Sequence, residues 1–280
     1  MPELPEVETV CRGLAMKMEG KRLTRVEQRR KDLRFPLPPD FAKRLTGRRI
    51  IRIGRRAKYM IWELDDETAV IGHLGMTGRM LLGQGWPDVL EPHDHLIFQT
   101  ENGWCLRFND ARRFGMMDLT PLAELDAHKL LRGLGPEPLG NEFNGPSLAA
   151  SLKGKKTSIK AALLDQKVVA GLGNIYVSEA LFRAGLSPKR MAYTVQRERA
   201  EKLAAAIKAV LADAIAAGGS SLRNYVRADG DLGDFQHHWR VYERKGKGCW
   251  RCTCDVEKTG GVMRITQVGR STYYCPRKQK

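Results

Sequence analysis

The sequence predicts an α+β protein of two domains, on three observations. Apolar side chains recur at helical spacing in the first eighteen residues, residues 47–119 break into short strand-like runs, and helical spacing resumes from Ser147. A chain of 280 residues that is 42% hydrophobic can fill two such cores.

Val7, Val10, Cys11, Leu14 and Met18 lie on one face of the first helix. Pro5 is accommodated in its first turn, where a backbone N–H has no intrahelical partner to lose. Ile51 and Ile53, then the runs 59–64, 69–74, 96–100 and 104–108, read as strands. Asn102-Gly103 is a hairpin turn signal, and the whole is a β-rich domain of sandwich or barrel type, closing near residue 132. Residues 133–146 hold Gly133, Gly135, Pro136, Pro138, Gly140 and Pro146, which predicts an interdomain linker. Residues 147–235 are helical, with Leu203, Ile207, Val210 and Leu211 facing inward from a helix over 197–217 that Gly218-Gly219 stops. Residues 236–280 turn polar and basic and end in a cysteine cluster on a small β-hairpin.

Lys and Arg number 48 against 32 Asp and Glu, a net charge of +16 that points to a polyanionic partner, nucleic acid first. The excess is concentrated near the two ends: 17 basic against 7 acidic residues in 1–60, and 10 against 3 in 241–280. No apolar run approaches the roughly 20 residues that span a bilayer, and the start does not read as a signal peptide, so a cytosolic protein is expected. Six cysteines in such a chain are poor evidence for disulfides. Cys11 and Cys105 read as buried thiols, whereas Cys249, Cys252, Cys254 and Cys275 cluster.

The residues with most chemistry stand first. Loss of Met1 leaves Pro2 as a terminal secondary amine, and such an amine attacking a sugar carbon gives a cationic iminium that labilises neighbouring bonds. An α-amino group has a reference pKa near ~7.8 against ~10.4 for Lys, so a useful fraction is neutral at pH 7. Glu3 and Glu6 beside it supply carboxylates of the kind that glycosidic cleavage requires.

Seven segments extend this reading in chain order: the opening from Pro2 to Val10, Arg55-Arg56-Ala57-Lys58-Tyr59, His73-Leu74-Gly75-Met76-Thr77-Gly78, His93-Asp94-His95, Asp110-Ala111-Arg112-Arg113-Phe114-Gly115, Gly171-Leu172-Gly173-Asn174-Ile175-Tyr176 and Gly269-Arg270-Ser271-Thr272. Together they resemble the bacterial formamidopyrimidine-DNA glycosylase family over nearly the whole chain, and the sister endonuclease VIII family less well. The resemblance implies an N-terminal β-sandwich, a helix-two-turn-helix domain and a zinc-finger-like hairpin. It also implies a monomeric, cytoplasmic, nucleoid-associated bacterial enzyme that excises oxidised purines from duplex DNA and then cuts the strand. Pro2 is then the nucleophile, Glu3 the acid/base partner and Glu6 a support for the site. Lys58, projecting from its turn, and Arg270 act on the phosphates at the lesion.

His93, Arg112, Lys155, Lys156, Lys160 and Asn174 carry over as contacts to the DNA backbone. Met76, Arg112 and Phe114 carry over as the trio that fills the hole left by the extruded nucleotide, a planar cation facing the orphaned base. On the residues alone, Met76 and Phe114 read as core. Residues 218–225 resemble the loop that closes over the flipped base.

Cys249, Cys252 and Cys275 resemble three of four zinc ligands, but Lys278 stands in the fourth position. Deprotonating a lysine at pH 7 costs about 4.6 kcal/mol before any bond forms. Three outcomes stay open: Cys254 restores the fourth sulfur, three thiolates share the metal with water, or the finger folds without metal. A damage-binding protein on the same scaffold is the competing functional class; it has no need of Pro2, Glu3 and Lys58 together.

Overall fold

The computed structural model describes residues 1–220, 235–250, 253 and 255–280. It comprises two units, residues 1–132 with 217–234, and residues 133–216 with 235–280.

The first unit opens on α1 (Leu4–Met18), followed by β1 (Leu23–Gln28), α2 (Phe41–Leu45), β2 (Ile50–Arg56), β3 (Tyr59–Leu64), β4 (Thr68–His73), β5 (Arg79–Gln84), β6 (Asp94–Thr100), β7 (Trp104–Asn109) and β8 (Met116–Pro121). The strands form two antiparallel four-stranded sheets, in the orders β1-β6-β7-β5 and β2-β3-β4-β8. The fold is therefore a sandwich rather than a barrel. Trp62 of one sheet meets Phe98 of the other edge-on at 5.3 Å, and the expected apolar face of α1, from Val7 to Met18, is part of the same core. Cys11 is buried there, its Sγ donating to the Gly54 carbonyl at 3.2 Å, and burial pushes its thiol up to about 12.

Two short connections matter later. β2 turns into β3 through Ala57 and Lys58 alone, with Arg56 paired to Tyr59 and Ala57 at φ 55. Tyr59 in turn pairs with His73 of β4, and their rings lie 4.8 Å apart. Burial above all, then the charges of Lys58 and Arg34, lower the His73 imidazole to about 4. Its Nδ1 accepts the Gly75 N–H at 2.9 Å.

The second unit holds α3 (Gly145–Leu152), α4 (Ile159–Leu164), α5 (Asn174–Arg183), α6 (Glu198–Ala216), α7 (Val256–Thr259), β9 (Met263–Gln267) and β10 (Arg270–Tyr274). Residues 133–146, expected as a linker, pack within this unit. Gly135 N donates to the Gln166 carbonyl at 2.8 Å, Ala170 N to that of Pro136 at 3.1 Å, and Phe143 is fully buried. Asn144 and Ser147 form a reciprocal capping box on α3, and the Ser158 hydroxyl caps α4. The helix expected over 197–217 is α6, with Leu203, Ile207, Val210 and Leu211 on its buried face.

β9 and β10 form the expected hairpin, joined by Val268 and Gly269, both at positive φ. Three anchors hold it. Phe182 of α5 packs in a small core with Val241, Cys249, Val262 and Cys275. Asn174 Nδ2 donates to the Ser271 carbonyl at 3.0 Å. Lys160 Nζ donates to that same carbonyl at 3.0 Å and to Thr272 Oγ1 at 2.7 Å, from a side chain with no exposed surface. Lys160, expected at the DNA backbone, is thus buried and donates to the hairpin. A lysine in a helix is ordinarily solvated, but here the segment following Arg270 lies across its end and satisfies it.

Among the described residues no helix is long and apolar enough to cross a membrane.

Two measurements check this packing. His73 stays neutral in the fold down to about pH 4, while the unfolded chain takes up that proton near 6.5. Its contribution is therefore complete above pH 6.5 and lost as the pH falls toward 4, up to about 3 kcal/mol. Urea unfolding between pH 4 and 8 should show a slope in that window that a His73→Gln variant lacks. Lys160→Met should lower stability by about 2 kcal/mol, because two acceptors lose their donor, and should raise hydrogen exchange at residues 270–274 ahead of residues 1–132.

Candidate active site

In the first unit the candidate chemistry gathers at the start of α1. Glu3 is its N-cap and Glu6 its third residue, and each carboxylate accepts the other residue's backbone N–H, the Glu3 N to Glu6 Oε2 distance being 2.8 Å. The second oxygen of Glu6 accepts the Ser220 N–H, also at 2.8 Å. Glu6 has no exposed surface, Glu3 is 3% exposed and Pro2 is buried, while Met1 is 39% exposed. Glu6 thus closes the capping box with one oxygen and reaches Ser220 with the other. Gly219 is fitted to this contact: a Cβ there would lie 3.2 Å from Glu6 Cγ. Of the loop expected over 218–225, residues 221–225 lie outside the described residues.

Lys58 departs from expectation. The turn between β2 and β3 is as predicted, but the side chain is 6% exposed and does not project into solvent. Arg55 explains how the turn is held. Its Nη1 donates to the Ala57 carbonyl at 2.8 Å and its Nε to Glu8 Oε2 at 2.9 Å. Burial opposes ionisation of Glu8, but Arg12 and Arg55 together hold its carboxyl below the ordinary range. One guanidinium thus ties the lysine-bearing turn to α1, the helix that begins at the Pro2-Glu3 pair.

A second cluster lies at one end of the sandwich. Met76 is 44% and Phe114 39% exposed, so neither is the core residue its type alone suggests. The Arg112 guanidinium lies over the Phe114 ring, 4.6 Å from its centroid. His93 is exposed, and its carbonyl accepts the Asp110 N–H at 3.0 Å.

In the second unit Arg270 is exposed at the tip of the β9–β10 hairpin, and Asn174 opens α5 with its amide directed to Ser271 and, at 3.4 Å, to the Tyr242 hydroxyl. Asn174 Oδ1 is buried with no protein partner among the described residues. Lys155 stands 4.0 Å from Asp165, and exposed Lys156 walls a groove of about 700 Å³ with Lys153, Met191 and Tyr193. Glu179, which sequence reasoning missed, is fully buried and accepts the backbone N–H groups of Arg240, Val241 and Tyr242 at 2.9–3.1 Å. Burial raises its pKa against the pull of those three donors. The signal available was a glutamate in an otherwise apolar stretch of helix, five residues after Asn174.

The cysteine cluster is partly described. Cys249 and Cys275 are buried together, and burial, then the hydrogen bond with the Cys275 thiol, push Cys249 up to about 11, with Lys278 acting in the opposite sense. Two adjacent sulfur donors in a dry pocket suit a thiophilic metal. Cys252 and Cys254 lie outside the described residues. Lys278 is turned to another task, its Nζ lying over the Phe182 ring at 4.8 Å.

This geometry has close relatives. Residues 1–117 match the model of the formamidopyrimidine-DNA glycosylase N-terminal domain, and residues 134–226 that of the formamidopyrimidine-DNA glycosylase H2TH domain. Formamidopyrimidine-DNA glycosylases of Rhodospirillum centenum and Acidiphilium cryptum are 57% and 56% identical to the chain, each aligned over the full length of both proteins. Among solved structures, the MutM (Fpg) protein of Thermus thermophilus superposes with a TM-score of 0.87 at 38% identity, covering 99% of this chain and 98% of that one. Lactococcus lactis Fpg in complex with abasic-site DNA gives 0.86 at 34%, covering 99% of each. With full-length identity above one half and family models spanning most of its residues, the chain belongs to the formamidopyrimidine-DNA glycosylase family.

Proposed function

We propose that this protein is a base-excision repair glycosylase that removes oxidised purines, 8-oxoguanine and formamidopyrimidines, from duplex DNA and then cleaves the abasic strand. The observation that carries the reading is the start of α1, where Glu3 and Pro2 are buried side by side and Glu6 holds the Glu3 backbone. The net charge of +16 suits a polyanion, and Lactococcus lactis relatives have been crystallised on DNA containing abasic sites and Fapy-dG.

The chemistry begins with removal of Met1, since the Met1-Pro2 peptide bond withholds the nitrogen lone pair. The freed Pro2 amine attacks C1′ of the damaged nucleotide, the C1′–N bond breaks, and the base departs with a proton supplied from the Glu3 side of the site. The Pro2 nitrogen then loses its proton, its lone pair opens the C1′–O4′ bond with O4′ taking up a proton, and the iminium so formed acidifies C2′–H. Loss of that proton expels the 3′ phosphate by β-elimination, and a second elimination expels the 5′ phosphate. Lys58, at the hairpin turn, and Arg270, at the tip of its own hairpin, neutralise phosphate charge as these bonds break. Met76, Arg112 and Phe114 fill the space vacated by the extruded nucleotide, and His93, Lys155, Lys156 and Asn174 bear on the backbone.

Cys249 and Cys275, with Cys252 and Cys254 as further sulfur donors, would hold one zinc ion. Bound there, the metal supplies a structural cross-link for the hairpin that carries Arg270.

Excision from duplexes holding an oxidised purine should exceed excision from duplexes holding an oxidised pyrimidine; the reverse order would place the protein with the endonuclease VIII relatives. Glu3→Gln should lower single-turnover excision roughly 10²- to 10⁴-fold with binding of lesion DNA retained, and an unimpaired Glu3→Gln enzyme would remove Glu3 from the mechanism. Elemental analysis should find one zinc per chain, lost in Cys275→Ser; metal-free wild-type protein of undiminished stability would show that the finger folds without it.

A further inference from the structure

The exposed pair Met76 and Phe114 lies on two loops that cross between the sheets at the same end of the sandwich. Residues 74–78 run from β4 to β5, and residues 110–115 run back from β7 to β8. Strand pairing closes both ends of this two-loop frame, His73 opposite Met116 and Arg79 opposite Asn109. The loops touch closely: a Cβ on Gly75, which has φ 63, would come within 2.3 Å of the Phe114 carbonyl carbon.

Between them stands a polar strap. Asp110 has no exposed surface, and its Oδ2 accepts the Gly115 N–H at 2.7 Å, closing its own loop. Its Oδ1 accepts the hydroxyl hydrogen of Thr77, from the other loop. The Thr77 oxygen in turn accepts the Arg112 N–H at 3.2 Å. Asp110 is itself held from outside, since its carbonyl accepts from His95 Nε2 at 2.8 Å. One hydroxyl therefore connects a buried carboxylate to the backbone of the residue whose guanidinium is stacked on Phe114.

We infer that Thr77 is a positioning residue that sets how Arg112 reads the base opposite the lesion. The inference rests on the reading of Arg112 as the cation facing that base. A guanidinium carries donors only, so it suits the adjacent acceptors O2 and N3 of cytosine and is opposed by the amino donor that adenine presents beside N1. Discrimination on that basis depends on where the guanidinium starts, and the loop carrying it has a non-glycine residue, Arg113, at φ 55. The Thr77 hydroxyl fixes the backbone one residue before that unfavourable conformation. Its loss leaves Arg112 stacked on Phe114 but free to shift along the ring.

The test measures single-turnover excision of 8-oxoguanine opposite cytosine and opposite adenine by wild type, Thr77→Val, Thr77→Ser and Arg112→Ala. Thr77→Val keeps the shape and removes the hydroxyl; the cytosine-over-adenine ratio should fall about five- to tenfold, the scale of one hydrogen bond. Thr77→Ser should restore it to within about twofold. Cleavage of a single-stranded abasic oligonucleotide, which has no opposite base, should be unchanged in both Thr77 variants. An unchanged ratio in Thr77→Val, alongside a changed one in Arg112→Ala, would overturn the role of Thr77 and leave the reading of Arg112 standing. An unchanged ratio in Arg112→Ala would overturn that reading, and the inference with it. Equal losses of excision and of single-strand cleavage in Thr77→Val would reduce Thr77 to a purely structural residue.

Discussion

The carboxylate of Glu6 is the contact on which the candidate centre depends. A chain terminus is ordinarily its most mobile part, yet a nucleophile at position 2 is useful only if its nitrogen recurs in one place. Glu6 resolves this with both oxygens, one on the Glu3 N–H and one on the Ser220 N–H, from a helix whose apolar face lies in the sandwich core. Burying a carboxylate is costly unless its lone pairs are used, and here two backbone donors use them. The Glu8–Arg55–Ala57 connection extends the same helix to the turn that holds Lys58.

The second unit applies a similar rule to a hairpin. Arg270 is exposed at its tip, but the next two residues are gripped by Lys160 and Asn174 from two different helices. Glu179, on the helix that Asn174 opens, gathers three consecutive backbone N–H groups and fixes the segment bearing Tyr242. In each unit, then, a turn that carries a cation is tied down from a helix, by Arg55 and Glu8 at Lys58 and by Lys160 and Asn174 behind Arg270.

Much of this was legible in the residue order because it is local. Turn chemistry placed the hairpin at Asn102-Gly103, and periodicity placed α1 and α6. What was not legible depends on contacts between distant segments. Lys58 and Lys160 are lysines like any others until Arg55 and Thr272 are brought beside them, and burial then decides what they do. Met76 and Phe114, which read as core by residue type alone, are exposed on two loops at one end of the sandwich, a placement that residue type does not reveal. Glu179 carries no motif of its own, since a carboxylate aimed at backbone N–H groups has no fixed sequence spacing from them, and Thr77 and Asp110 stand inside matched segments whose order does not show the hydrogen bond between them.

The account turns on one nitrogen. Borohydride reduction of the protein during reaction with 8-oxoguanine duplex, followed by peptide mapping of the trapped complex, locates the bond directly. The account predicts a chain lacking Met1 with deoxyribose attached to the α-nitrogen of Pro2. Attachment at a lysine side chain, or undiminished strand cleavage by protein that retains Met1, would contradict it.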